Sequence, residues 1–374
     1  MLNMLFRSMV TTRASPMVLA CRKESVVSSV RGGVGMLTLN RPKALNALNL
    51  EMIQTLMPIL KDWETGKDGV QMVVIKGEGG KAFCAGGDIR AITEVPGGDM
   101  QKQFFVEEYQ LDHLVGSLAI PYVAIMNGIA MGGGVGISVN GKFRVATEKT
   151  VFAMPETGIG LVPDVGGGFF LPRMTGQLGT FLGLTGHRLK GWDCLHAGVA
   201  THGVRGDMVD QLVEELVSMG AGAGEEDVKN VLDQFMAEEV KEHTFSLARH
   251  MEEINRIFSA DTVEMIVERL KSEESEFSLK ALKTMEAASP TSLKVAHRQI
   301  REGGKMATLR DVLKMEYRLV TRCCKDKDFY EGVRAALIDR DNKPVWVPGK
   351  VEGVTMDKVD WYFSNLGEEE LYLE

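Results

Sequence analysis

The chain has 374 residues, 44% hydrophobic and 25% charged, with a formal net charge of −8 at pH 7. That length buries about three quarters of an extended chain's surface, so a core needs neither disulfides nor metal, and no run of about 18 apolar residues offers a membrane span. The acidic balance argues against a nucleic-acid surface, which carries a basic excess or stripe.

Residues 1–23 hold Arg7, Arg13, Arg22 and Lys23, several Ser and Thr, and no acid before Glu24. This is the composition of a mitochondrial transit peptide, with a disordered tail as the plainer alternative. Gly35–Asn40 alternates as a strand and stops at Arg41-Pro42, because proline holds its predecessor extended. Asn49 is placed to cap a helix in which Met52, Ile53, Leu56, Leu60 and Trp63 recur at intervals of three and four; Pro58 is expected to interrupt and kink it. Met72–Lys76 reads as a buried strand, followed by the turn Gly77–Gly80 and a second extended piece, Lys81–Ala85. Tyr122–Met126, Arg144–Thr147 and Val151–Met154 continue the pattern. Two strands and then a helix, repeated, predict an α/β spiral more readily than a doubly wound sheet.

After about residue 205 the periodicity becomes helical, over Met208–Met219, Val228–Met236, Ser292–Arg301 and Leu309–Cys324. Ser289-Pro290-Thr291 marks a helix start with Thr291 or Ser292 as its cap, and Glu368–Glu370 falls in a polar acidic tail. The expected organisation is a leader at 1–23, a spiral core at 24–205 and a helical region at 206–374.

Five cysteines without CxxC spacing suggest reduced thiols, and Cys84 reads as a buried strand residue more readily than as a nucleophile. The seven histidines form neither HxxxH nor HExxH. Gly136 to Lys142 has phosphate-loop spacing but is followed by Phe143 where the magnesium-binding hydroxyl belongs, and Val139 stands where GxGxxG needs its third glycine. Neither a metal nor a nucleotide cofactor is expected.

Two glycine-rich turns remain. Phe83-Cys-Ala-Gly-Gly-Asp-Ile89 leaves a strand, and Met131-Gly-Gly-Gly-Val135 opens a helix. Each could present a backbone N–H with no side chain in the way, or could simply allow close backbone packing. A pair of such donors aimed at one oxygen makes an oxyanion hole, helped by the positive end of a helix. Downstream, Glu156 follows Pro155 and Asp164 precedes Gly166–Gly168; either carboxylate could be a base, a nucleophile, a cap or a solvated loop residue.

These segments resemble the crotonase superfamily, also called the enoyl-CoA hydratase/isomerase family. Lys81-Ala-Phe-Cys-Ala-Gly-Gly-Asp-Ile89 is similar to its first donor segment and Asn127-Gly-Ile-Ala-Met-Gly-Gly-Gly134 to its second, which implies N–H donors at Gly87 and Gly133 for a thioester carbonyl. Within that superfamily, Glu107-Glu-Tyr109, Phe152–Thr157, Gly160–Gly168, Ser289–Ser292 and Asp328–Ala335 resemble the hydroxyacyl-CoA thioester hydrolases. The likeness runs from about residue 26 almost to the end. Hydratases carry a glutamate three residues after the second donor; here that position is Gly136. The resemblance therefore implies thioester hydrolysis with Glu156 as the catalytic carboxylate. Glu108 and Asp164 would bind the substrate hydroxyl or orient Glu156 and water. Acyl-CoA and CoA are the implied small-molecule partners, self-association and a mitochondrial matrix location are implied with them, and neither nucleic acid nor membrane is. An isomerase using Glu156 alone, and a non-catalytic acyl-CoA or RNA-binding scaffold, are the competing readings.

Overall fold

The structure, a computed structural model, describes residues 24–373 apart from Val95 and Ala221; the basic leader expected at 1–23 lies outside them. Among the described residues ten strands form two sheets. The first has the order β1 (Val26–Arg31), β2 (Val34–Leu39), β3 (Met72–Gly77), β5 (Tyr122–Met126), β7 (Phe143–Ala146), β10 (His202–Gly203). Its β1/β2 pair is an antiparallel hairpin and its other pairs are parallel. The second sheet has the order β4 (Ala82–Cys84), β6 (Ile129–Met131), β8 (Val151–Ala153), β9 (Leu189–Lys190), parallel until the antiparallel β8/β9 edge. Each of β3–β4, β5–β6 and β7–β8 gives its first strand to one sheet and its second to the other. Helices follow each pair, so the chain winds as the predicted spiral of ββα units.

β3 and β5 are apolar on both faces because the first sheet is covered on both sides. Side chains alternate between those faces. Val73, Ile75, Ala124 and Met126 enter the larger core, whereas Met72, Val74, Val123 and Ile125 enter a second one. The second core is closed by the helices Val209–Ser218 and Glu225–Gln234 through Leu212, Leu216, Val228 and Leu232. The larger core also takes Leu293, Leu313, Val320, Leu371 and Leu373, so helices late in the chain enclose the same interior as β2 and β3. Among the described residues no helix is long and apolar enough to cross a membrane.

Two local expectations need correction. The helix Leu50–Glu64 is capped by Asn49 as expected, but it runs unbroken through Pro58. Pro58 and Gln54 both lie on the exposed side, where water can satisfy the carbonyl that loses its N–H partner. The helix Pro290–Gly303 is capped by Ser289, whose hydroxyl accepts the Ser292 N–H at 3.1 Å, not by Thr291 or Ser292. Proline at the first helical position has no N–H to leave unpaired, which moves the cap one residue before it. The polar acidic tail expected at Glu368–Glu370 is docked: Glu370 accepts both from Arg318 and from the Leu366 N–H, and Leu371 and Leu373 are buried.

Candidate active site

The first glycine turn leaves β4 and pairs with the segment before the Leu50–Glu64 helix. Leu48 N–H donates to Gly86 O at 2.8 Å, and Asp88 N–H donates to Leu48 O at 2.6 Å. The Gly87 N–H between them donates to no group among the described residues. Arg41 fixes the exit of the turn, reaching Ala47 O at 2.6 Å and Asp88 Oδ2 at 2.8 Å. Cys84, at the end of β4, is fully buried, and burial pushes its thiol up to about 12, so it is no nucleophile at neutral pH.

The second turn leaves β6. Gly132 adopts φ 47°, ψ −128° and opens the helix Gly133–Val139, whose first N–H groups have no intrahelical acceptor. With only seven residues in this helix, the free N–H itself matters more than any macrodipole. A Cβ built on Gly133 would sit 3.3 Å from Gly87 N, so the two predicted donors flank one small space. The same Cβ would sit 2.3 Å from Glu108 Oε1, and a Cβ on Gly132 would sit 3.4 Å from Glu156 Oε1. Gly134 answers to packing instead, since a Cβ there would meet Cys84 O at 2.2 Å.

All five residues singled out in the sequence line one cavity of about 610 Å³: Gly87, Gly133, Glu108, Glu156 and Asp164. Glu156 opens the short turn Glu156–Ile159 after β8, and Glu108 projects from the helix Asp99–Ser117. Asp164 accepts a hydrogen bond from the Tyr109 hydroxyl at 2.7 Å. Leu337 and Arg340 close one side of the cavity from far along the chain.

Two further carboxyl groups stand behind this wall and were not singled out as site residues. Asp112 lies one helical turn beyond Glu108, and Glu316 lies on the helix Leu309–Cys323; both are fully buried. A Cβ on Gly136 would come within 2.3 Å of Asp112 Oδ1. The place where hydratases carry a glutamate is thus filled by a carboxyl group from a neighbouring helix, which refines the reading of Gly136 as a simple vacancy.

Burial dominates the electrostatics. It raises Glu108 well above the ordinary range, with the Asp164 charge adding to it, and it raises Asp112 with Glu108 adding. Glu156 is raised by burial and then by Asp164. Asp164 is pushed up to about 6 by burial, against the pull of the Tyr109 hydrogen bond. Burial pushes Glu316 up to about 8, opposed by the N–H groups of Gly166 and Gly168. No cation appears among the neighbours that set these five acidities; what opposes burial and mutual repulsion is hydrogen bonding, from Tyr109 at Asp164 and from Gly166, Gly168 and Gln299 at Glu316.

This has a measurable consequence at Asp112, neither of whose oxygens has a hydrogen-bond partner among the described residues. Between about 3.9, its unfolded value, and its raised folded value, the native state holds the proton more tightly than the unfolded chain. Stability contributed by Asp112 is therefore lost as pH rises through that window. Asp112→Asn does not titrate, so its Tm relative to the parent chain should increase from pH 5 to pH 8. A difference that stays flat with pH would show that Asp112 is not held neutral by the fold.

The helices late in the chain brace the Glu156 turn. Ser289 N–H donates to Thr157 O at 3.0 Å, and Ser289 Oγ donates to Asp328 Oδ2 at 2.6 Å. A Cβ on Gly160 would meet Asp328 O at 2.3 Å, and one on Gly332 would meet the Ile159 backbone at 2.4 Å. The two motifs at Ser289–Ser292 and Asp328–Ala335 are thus packing surfaces for the carboxylate's turn.

Known proteins resemble this chain in sequence and in fold. The family model described as enoyl-CoA hydratase/isomerase matches residues 34–363. A Xenopus laevis protein named "3-hydroxyisobutyryl-CoA hydrolase, mitochondrial" is 53% identical over 346 residues, covering 91% of this chain and 89% of its own. The Homo sapiens protein of the same name is 50% identical over 355 residues, covering 93% and 90%. Among solved structures, a carnitinyl-CoA dehydratase from Mycobacterium thermoresistibile superposes with a TM-score of 0.87 at 36% identity, covering 94% of this chain and 99% of its own. The reactions in these names differ while the architecture is shared, so the fold does not choose the chemistry. With a matched family model spanning most of its length and relatives at half identity, the chain belongs to the enoyl-CoA hydratase/isomerase family.

Proposed function

We propose that the chain hydrolyses 3-hydroxyisobutyryl-CoA, and 3-hydroxypropionyl-CoA as a second substrate, to the free hydroxy acid and CoA, as a step of valine breakdown in the mitochondrial matrix. The observation that carries this reading is the convergence of two undonated N–H groups, Gly87 and Gly133, with Glu156, Glu108 and Asp164 on one cavity. The names of the relatives at half identity support the substrate class and the mitochondrial location.

In the proposed reaction the thioester oxygen sits between the Gly87 and Gly133 N–H groups. Glu156 takes a proton from water as the water oxygen adds to the carbonyl carbon. Negative charge then grows on the thioester oxygen, where fixed donors await it. Collapse of the intermediate breaks the C–S bond, and the proton on Glu156 passes to the departing CoA sulfur. Asp164, held by Tyr109, and Glu108 receive the substrate hydroxyl; a plain acyl chain would leave Glu108 Oε1, which has no partner among the described residues, unpaired. The burial that raises Glu156 favours this general-base route over direct attack, for which an ordinary acidity suffices.

A panel of acyl-CoA thioesters, followed by CoA release with a thiol reagent, tests the assignment. Hydroxylated acyl-CoA should be preferred, and Asp164→Asn should narrow its lead over the matching plain acyl-CoA. Release of CoA from none of the panel, or a preference untouched by the substitution, would overturn the substrate reading.

A further inference from the structure

Asp164 stands in a turn that the backbone should resist. Val165 has φ +51° and Gly166 φ +93°. Glycine accepts the left-handed region freely, but a β-branched residue there is an outlier that persists only where its surroundings over-determine it. Val165 is nonetheless buried, as is the turn around it.

The surroundings are three side chains from three helices. Glu316 accepts the Gly166 N–H on Oε2 at 2.8 Å and the Gly168 N–H on Oε1 at 2.7 Å. Gln299, from the helix Pro290–Gly303, donates to Pro163 O at 2.7 Å and to Glu316 Oε1 at 2.9 Å. Asn140, at the end of the helix Gly133–Val139, donates to Val165 O at 3.0 Å and to Gly136 O at 2.9 Å. The turn is therefore tied on both sides of Asp164, and Asn140 links it to the helix that begins at Gly133. None of these three side chains lines the cavity.

We infer that Glu316, with Gln299 and Asn140, positions Asp164 by holding the Pro163–Gly168 turn in its strained conformation. The inference rests on Asp164 being the group that reads the substrate hydroxyl. A carboxylate suits the role because both of its oxygens accept, whereas an amide in the same place offers one acceptor and turns an N–H₂ donor towards an N–H. Losing one tie lets Val165 relax out of the left-handed region and carries Asp164 with it. Sub-ångström placement is what orientation effects depend on.

The test is Glu316→Gln in the full chain, assayed on 3-hydroxyisobutyryl-CoA and isobutyryl-CoA. The ratio of their kcat/KM values should fall about tenfold or more, while KM for isobutyryl-CoA changes by about twofold at most. A purely structural role would lower both substrates together; an unchanged ratio overturns the inference whatever happens to total activity. Should Glu316→Gln fail to fold, Asn140→Ala removes a tie from the opposite side and must shift the ratio in the same direction. Hydrolysis-resistant thioether analogues of the two substrates separate this inference from the reaction assignment. If the parent chain turns over neither thioester, the assignment fails, and loss of binding preference in the variant still decides the role of Glu316.

Discussion

Glu156→Gln is expected to lower kcat by about 10²- to 10⁴-fold, the range for a positioned general base, while hydroxyacyl-CoA binding persists. The substitution preserves shape in a site where shape is tightly set, so binding should survive. Glu156 is 5% exposed, its Oε2 has no partner among the described residues, and its Oε1 faces the Gly132 backbone beside the donor pair. What the amide loses is the capacity to take a proton. Because burial raises the acid above its usual 4.5, kcat/KM in the parent chain should fall as pH drops through that raised value and protonates the base. Near-normal turnover by a folded Glu156→Gln chain would refute the assignment. Single turnover in heavy-oxygen water resolves the route: general-base attack puts the label in the first product, and label found in Glu156 would mark direct attack.

Gly133→Ala should be nearly as damaging, with kcat/KM down about 10²- to 10³-fold, as for loss of an oxyanion donor. The added methyl would sit 2.3 Å from Glu108 Oε1 and 3.3 Å from Gly87 N, which blocks the gap where the thioester oxygen belongs and displaces Glu108. Gly158→Ala is the control, in the same turn as Glu156 with nothing within 4 Å of the new Cβ; about twofold is the expected limit of its effect. Equal activity in the two alanine variants would rule out the space beside Gly133 as the site of reaction.

Much of this was legible in the sequence because the information is local. Gly87, Gly133, Glu156 and Asp164 each sit beside a strand end, a proline or a glycine run that announces a turn, and a turn is where a backbone donor or carboxylate can be presented. Strands β2, β3, β4, β5, β7 and β8 followed from alternating or continuous apolar runs, whereas β1, β6, β9 and β10 were not singled out. Asp112 and Glu316 were harder, because their neighbours make ordinary helices. A signal was present: Glu108 and Asp112 are four apart on the stripe of Phe104, Phe105, Leu111 and Val115, and Glu316 falls between Val312, Leu313, Tyr317 and Val320. A carboxylate on the apolar stripe of a helix must be buried with a purpose or be mis-stacked. Which partner it meets depends on contacts across as many as 150 positions, as between Gly166 and Glu316, and no local pattern encodes those. The Ser289 cap and the course of the helix through Pro58 were missed for a smaller reason, a boundary set two or three residues late and the orientation of one face.

The docked segment at 366–373 adds a statement about order in time. It lies on the helix that carries Glu108 and Asp112, through Lys102 to Glu369 and Gln110 to Tyr372 O, and it seats Leu371 and Leu373 in the main core. Glu316 and Asp328 must also arrive before the two carboxylate turns acquire their ties. A nascent chain emerging from the ribosome therefore carries the residues that line its cavity, all at 43–165 but for Leu337 and Arg340, before the groups that tie its carboxylate turns exist. Such contacts of long sequence separation close slowly. The turns that carry Glu156 and Asp164 gain their full set of ties only once Ser289, Glu316 and Asp328 have been made.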